Sequence, residues 1–288
     1  MGEPNGRKKK GFSLKIIEGV NLIHFAVYVD VKQGDRMKNH SNSERLQKQH
    51  FDSIASEYAK HYGDVWSQAY RLKFINEPMF ENINFSGMKV LDAMCGNGET
   101  TKYLLWKGCQ VTGVDISEKE ICHFQERWPE CDAQCASILS TGFLNNSYDC
   151  VVVVGGLHHL HPNVSEAINE IHRVLKPNGY FCFVEPHKGS VADRIRQFWY
   201  GVDNLFAENE AAIDIEALKQ EFSSKFEFGK EDYKGNLAYL LVLNSLIFRI
   251  PLRVKPIYSP ILLKIESVIE RIQGKLLSCF VVCQWKKI

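Results

Sequence analysis

Between residues 89 and 184 the chain alternates strand-like and helix-like patterns, and this alternation restricts the fold more than any other feature of the sequence. Strand patterns fall at 89–93, 110–114, 150–154 and 180–184, and helical periodicity at 99–107, 118–127 and 164–175. Strands that alternate with helices build a parallel sheet covered on both faces. The run of valines from Val151 to Val154 fits such a sheet, because a central parallel strand is apolar on both sides. The predicted fold is therefore α/β, a Rossmann-like, doubly wound, mostly parallel sheet.

The flanks read differently. Phe51, Ile54, Ala55 and Tyr58 share one face of a helical pattern that begins near Ser43, and a second helix is expected over 70–80. After Pro186 the alternation stops, giving helices at 191–206 and 214–222, a short strand at 226–228, an apolar helical stretch at 236–250, proline breaks at Pro251, Pro256 and Pro260, a helix at 262–272 and a final strand at 277–285. The expected organisation is an N-terminal helical cover at 37–87, a cofactor-binding core at 88–186, a helical substrate and lid insertion at 187–275, and a last sheet strand at 276–288. Residues 1–36 read as a leader or appended segment, with Met37 as an alternative start, or as an extra strand pair on the sheet edge.

Charge and cysteine content narrow the function classes. Lys and Arg total 35 against 34 Asp and Glu, so no net field draws nucleic acid and none is expected as a partner. The nine cysteines are an odd number in a chain without a signal-peptide pattern, which predicts reduced thiols and a cytoplasmic location. Cys131 and Cys135, like Cys279 and Cys283, lack a second close pair or nearby His, so no metal is expected. No stretch of about 18 apolar residues predicts a transmembrane helix.

The segment VLDAMCGNGETT, Val90 to Thr101, places a strand, a glycine turn and a helix start in succession. Gly96 and Gly98 let backbone amides approach a ligand. Thr101 stands where a dinucleotide fingerprint has its third glycine, which disfavours a pyrophosphate. Asp92 at the strand end suits an ammonium group, and Asp115 at the end of the next strand suits two ribose hydroxyls. Adenosine with a cationic tail describes S-adenosylmethionine.

On these motifs, residues 46 to about 186 resemble class I S-adenosylmethionine-dependent methyltransferases of the group that includes the ubiquinone and menaquinone biosynthesis enzymes. The family's D-x-G-x-G-x-G reads here Asp92-Ala93-Met94-Cys95-Gly96-Asn97-Gly98, with Met94 in place of the first glycine. The resemblance implies S-adenosyl-L-methionine as cofactor, with Asp92, Met94, Gly96 and Gly98 around its methionine portion, Asp115 on the ribose and Ile116 against the adenine. It further implies Ser137 at the adenine amino group, where the family usually has Asp, Ile138 as a backbone contact, and Tyr58 closing over the cofactor. FLNNSYD at 143–149, GGLHHLHP at 155–162 and LKPNG at 175–179 resemble the family's later segments.

Methyl transfer requires alignment and exclusion of water, and a base only when the acceptor must lose a proton. His158 and His159, with His161 as a further option, follow the fourth strand, and Glu185 and His187 follow the fifth. His158, His159 and Glu185 are the candidate catalytic residues. Phe198, Trp199, Tyr200 and Phe206 supply apolar area for an acceptor. The expected reaction methylates an oxygen or carbon of a small or lipid-like acceptor. A catalytically silent binding or scaffold protein and a nicotinamide-dependent oxidoreductase are the alternatives. The apolar stretch with Arg249, Arg253 and Lys255 leaves open a peripheral membrane contact, a lid or a homodimer through 236–260.

Overall fold

The computed structural model describes residues 45, 48–49, 52–53, 57–200 and 210–288, the side chains of 198–200 excepted. The expectations for 1–36, for Phe51, Ile54 and Ala55, and for the side chains of Phe198, Trp199, Tyr200 and Phe206 lie outside the described residues.

Seven strands form one sheet: β1 (Lys89–Ala93), β2 (Gln110–Asp115), β3 (Asp132–Cys135), β4 (Tyr148–Val154), β5 (Leu175–Glu185), β6 (Phe226–Lys234) and β7 (Phe280–Lys287). Their spatial order is β3-β2-β1-β4-β5-β7-β6. The first five run parallel, and β7 lies antiparallel between β5 and β6. This is the expected mostly parallel, doubly wound α/β architecture. Strand order reverses between β1 and β4, and in open α/β sheets a ligand crevice opens at the carboxyl ends of the strands at that point.

Helices α1 (Val65–Tyr70), α2 (Glu77–Met79), α3 (Thr101–Trp106), α4 (Glu118–Arg127), α5 (Val164–Val174), α6 (Val191–Tyr200), α7 (Ile215–Glu221) and α8 (Lys255–Ile269) flank the sheet. A π-helical segment, Arg71–Asn76, joins α1 to α2. The helix expected at 70–80 starts earlier because the Asp64 carboxylate accepts from the backbone N–H groups of Trp66 and Ser67 and caps the first turn. Each parallel strand sends alternate residues to opposite faces. Val151 and Val153 enter one core with Ile168, Phe181, Phe183 and Trp285, while Cys150 and Val152 enter another with Tyr70, Phe74, Val242 and Phe280.

Three expectations need correction. The short strand expected at 226–228 runs on to Lys234: β6 is a nine-residue strand whose charged sequence FEFGKEDYK suits a sheet edge. The helix expected at 262–272 begins at Lys255, since Pro256 lies in its first turn, where a missing N–H costs nothing. The apolar stretch 236–250 is helical only to Leu243, closing in a π-helical segment, Tyr239–Leu243. Its Ala238, Val242 and Leu243 are buried, and Lys255 is 1% exposed. Lys255 Nζ donates to Ser67 Oγ and to the His61 carbonyl and pairs with Asp64. Leu237, at the start of that stretch, stays 42% exposed.

Candidate functional site

The turn after β1 and the turn after β4 face each other and form the walls of a cleft of about 970 Å³. Tyr58, Met94, Gly96, Asp115, Ile116, Ser137 and Ile138 all line it, as do Arg71, Asn97, Glu99, Glu120, Gly156 and His159. Seven of the nine residues expected to meet a cofactor therefore share one wall. Asp92 lies beneath it, 3% exposed, accepting from Thr101 Oγ1 at 2.7 Å. Gly98 turns away: at φ +82° its missing side chain leaves room for Trp128 Nε1, which a Cβ would meet at 2.4 Å. Its role is to pack α4 against the turn.

Met94 adopts φ +55°, a left-handed backbone that favours glycine. Its side chain occupies space that Gly156 leaves open, for a Cβ on Gly156 would lie 2.6 Å from Met94 Sδ and 3.0 Å from Val153 Cγ1. Gly156→Ala is therefore expected to weaken binding in this cleft about tenfold through overpacking. Gly156→Ala combined with Met94→Gly recovers that loss, as read by calorimetry with S-adenosylhomocysteine.

Acidic groups crowd one end of the cleft. Asp115 accepts from the Gly96 and Ser117 N–H groups, yet burial raises its pKa above the ordinary carboxylate range against those donors. Burial, reinforced by the Asp115 charge, pushes Glu120 up to about 7. Burial likewise takes Asp92 to about 7, opposed by the Thr101 hydrogen bond and the Arg71 charge. Glu120 Oε2 and Arg71 Nε are both buried and, among the described residues, have no hydrogen-bond partner. Arg71 Nη2 donates to Thr100 Oγ1 at 3.0 Å, which places the guanidinium at the glycine turn.

Glu120 and Arg71 were not expected from sequence. Ser117-x-x-Glu120 has the form of a capping box, which assigns Glu120 to the helix start. Here Ser117 Oγ does cap the Glu120 N–H, but the Ser117 N–H bonds Asp115 Oδ1 instead. That leaves the Glu120 carboxyl for the cleft. Arg71 reaches the cleft from a π-helical segment, a local feature common at functional sites.

The catalytic candidates form a layered cluster at the ends of β4 and β5. Glu185 is fully buried and accepts from the backbone N–H groups of Gly156 and Leu157 at 2.8 and 2.7 Å. Its second oxygen lies 2.7 Å from His158 Nδ1. Burial pushes Glu185 up to about 7 against those donors. Burial, then the neighbouring His159, holds His158 well below its usual range, so it is neutral near pH 7. The His159 ring lies 3.9 Å from the His158 ring, lines the cleft, and has Nδ1 3.1 Å from Glu210 Oε1. One ligand atom each from His158, His159 and Glu210 falls within 4.8 Å of the others, so this set also has the spacing and donor types for a divalent cation.

The other two histidines sit elsewhere. His187 is 1% exposed and bonds Ser278 Oγ through Nε2 at 2.8 Å, tying the end of β5 to the start of β7 rather than facing the cleft. His161 lines a second cavity of about 780 Å³ with Lys188, Asp193, Arg196 and Glu210. Glu210 borders that cavity and also faces His159. The nine cysteines are free, and no helix among the described residues is long and apolar enough to cross a membrane.

Residues 91–183 match the family model described as a methyltransferase domain. An uncharacterized methyltransferase of Synechocystis sp. is 35% identical over 38% of this chain and 53% of its own. A ubiquinone biosynthesis O-methyltransferase of Chromobacterium violaceum is 27% identical over 39% of this chain and 49% of its own. The chain thus spans about half the length of these curated relatives. Among solved structures, magnesium protoporphyrin IX methyltransferase from Synechocystis with bound SAH matches with TM-score 0.58 and 14% identity, over 85% of this chain and all of that one. A [4+2]-cyclase matches with TM-score 0.61 and 17% identity, over 85% of this chain and 96% of that one.

Proposed function

We propose that this chain, whose residues 91–183 form a methyltransferase domain of the class I S-adenosylmethionine-dependent fold, transfers a methyl group to an oxygen or carbon of a small or lipid-like acceptor. The observation that carries this reading is the pair of buried, unpartnered polar atoms in the cleft, Arg71 Nε and Glu120 Oε2. A cation and an acid left open at such a site call for a ligand with complementary groups. S-adenosylmethionine supplies both: a carboxylate for Arg71 and ribose hydroxyls for Asp115 and Glu120. Its ammonium suits the Asp92 carboxylate beneath the glycine turn.

When bound, the cofactor supplies an electrophilic methyl on a sulfonium. The chain's own residues then have four tasks. Arg71, Asp115 and Glu120 fix the two ends of the cofactor, and Ile116 and Ile138 give the adenine an apolar seat. Met94 and Gly156 shape the wall nearest the reacting centre. His159, whose Nδ1 faces Glu210, turns Nε2 the other way to accept a proton from an acceptor hydroxyl or acidic carbon. His158 and Glu185 hold the loop that carries it. The part of the cleft beside His159 is the acceptor's place in this reading.

Calorimetric titration with S-adenosylmethionine, S-adenosylhomocysteine and NADH tests the proposal. Micromolar binding of the two sulfur nucleosides, lost about 100-fold in Asp115→Ala, is the expected result. Binding of NADH alone, or of none of the three, rejects it. Tight binding with no methyl release across phenols, quinols, glycolipids and sugars would instead favour a silent protein of the same fold.

A further inference from the structure

Helix α8 buries two charged residues and leaves an apolar stripe in water. Lys255 and Glu266 are 1% and 0% exposed. Glu266 accepts from Tyr70 OH at 2.9 Å and from the Asn236 and Ala238 N–H groups at 2.6 and 2.8 Å. Tyr258, Leu262 and Leu263 pack against the core, while Ile257, Ile261, Ile265 and Val268 are 74%, 61%, 39% and 62% exposed. At about 100° per residue these four fall within an arc of about 80°. Ile272, Leu276 and Leu277, at 83%, 57% and 57%, continue the apolar surface past the helix end.

Within the segment that carries this stripe the exposed charge has one sign. Arg253, Lys264, Arg271 and Lys275 are exposed between residues 250 and 278, and no Asp or Glu there is. Lys264 and Arg271 run along one border of the stripe by helical position. Lys275 is shared with Glu216, 3.2 Å away.

From this stripe and its border we infer that α8 and the turn after it dock the protein on a lipid surface carrying anionic head groups. Isoleucines flanked by cations are what an interfacial helix presents, with the apolar face in the acyl boundary and the cations at the head groups. A second copy fits this face poorly. A two-fold contact apposes the same patch on both chains, which would set these cations against their own copies. The docking face is independent of the cleft, so it stands or falls separately from the methyltransferase reading.

Flotation of the full chain with vesicles decides the matter, using phosphatidylcholine alone and with roughly 30 mol % phosphatidylglycerol. The chain is expected to float with the anionic vesicles only, and less so at high salt. Ile261→Ser with Val268→Ser, and separately Lys264→Glu with Arg271→Glu, should each lower the bound fraction about tenfold or more. Melting temperature and S-adenosylhomocysteine affinity should stay unchanged in both variants, which shows that the fold and the cleft are intact. Failure to float, or equal flotation with neutral vesicles, overturns the inference. A dimer in ultracentrifugation that Ile261→Ser with Val268→Ser dissociates assigns the face to a second copy instead. Loss of nucleoside binding by the unaltered chain, with flotation retained, would remove the methyltransferase reading alone.

Discussion

Replacing His159 by alanine is expected to lower kcat by about 10²–10⁴-fold while leaving the Kd for S-adenosylhomocysteine unchanged. The split follows from position: the His159 ring lines the cleft beside Glu210 on the turn after β4, whereas the groups assigned to the cofactor come from Arg71, the turns after β1, β2 and β3, and the start of α4. Glu185→Gln should also lower kcat, by a different route. Glu185 holds the backbone of Gly156 and Leu157 and the ring of His158, so it positions the loop and does not touch the acceptor.

The pH profile separates the two roles. Burial holds Glu185 at about 7, above its value in an unfolded chain. Below that pH the carboxyl is protonated and its grip on the N–H groups of Gly156, Leu157 and His158 and on the imidazole weakens; above it the charge strengthens all four. The rate should therefore fall as the pH drops through about 7, and Glu185→Gln should remove the part of that fall that Glu185 contributes while keeping a residual rate. His158, held well below its usual range, stays neutral throughout and contributes no limb of its own. A rate in His159→Ala equal to that of the unaltered chain would remove the base. Activity lost on dialysis against a chelator and restored by zinc would give the His158, His159 and Glu210 set to a cation instead.

How much of this was legible in the sequence depends on whether a feature was local. The strand at 89–93 and the helix at 118–127 were read to the residue, because their boundaries are local: the glycine turn closes one, and Ser117 caps the other. β3 was not read, since its four residues, DAQC, are mostly exposed and carry no apolar alternation. The stretch 236–250 and α8 show the deeper limit. Periodicity finds an apolar face, but tertiary packing decides which way it points. Residues 238–243 turn theirs into the core, and α8 turns four isoleucine and valine side chains out while burying Lys255 and Glu266.

The cofactor cleft divides along the same line. Gly96, Asp115 and Ile116 are fixed by strand ends close in sequence, and the motif named them. Arg71 arrives from a helix that precedes the sheet, and only the packing of that helix over the turn brings its guanidinium to Thr100. No spacing within one motif records such a contact.

Arg71→Met is accordingly the sharpest test of how the cleft holds its ligand. Methionine keeps the apolar stem that packs near α1 but removes the charge, so the helix should remain folded. A charge-assisted, two-pronged contact with a carboxylate is worth about 1.5–3 kcal/mol. Its loss should raise the Kd for S-adenosylmethionine and S-adenosylhomocysteine by roughly 10–100-fold. Adenosine, which has no amino-acid tail, should bind both proteins equally, because Asp115 and Glu120, the groups proposed for the ribose, are untouched. An equal loss for adenosine would mean that Arg71 shapes the cleft through Thr100 and holds no carboxylate. Unchanged affinity for all three would leave the buried Nε without a ligand and return the methionine end to Asp92 and the glycine turn alone.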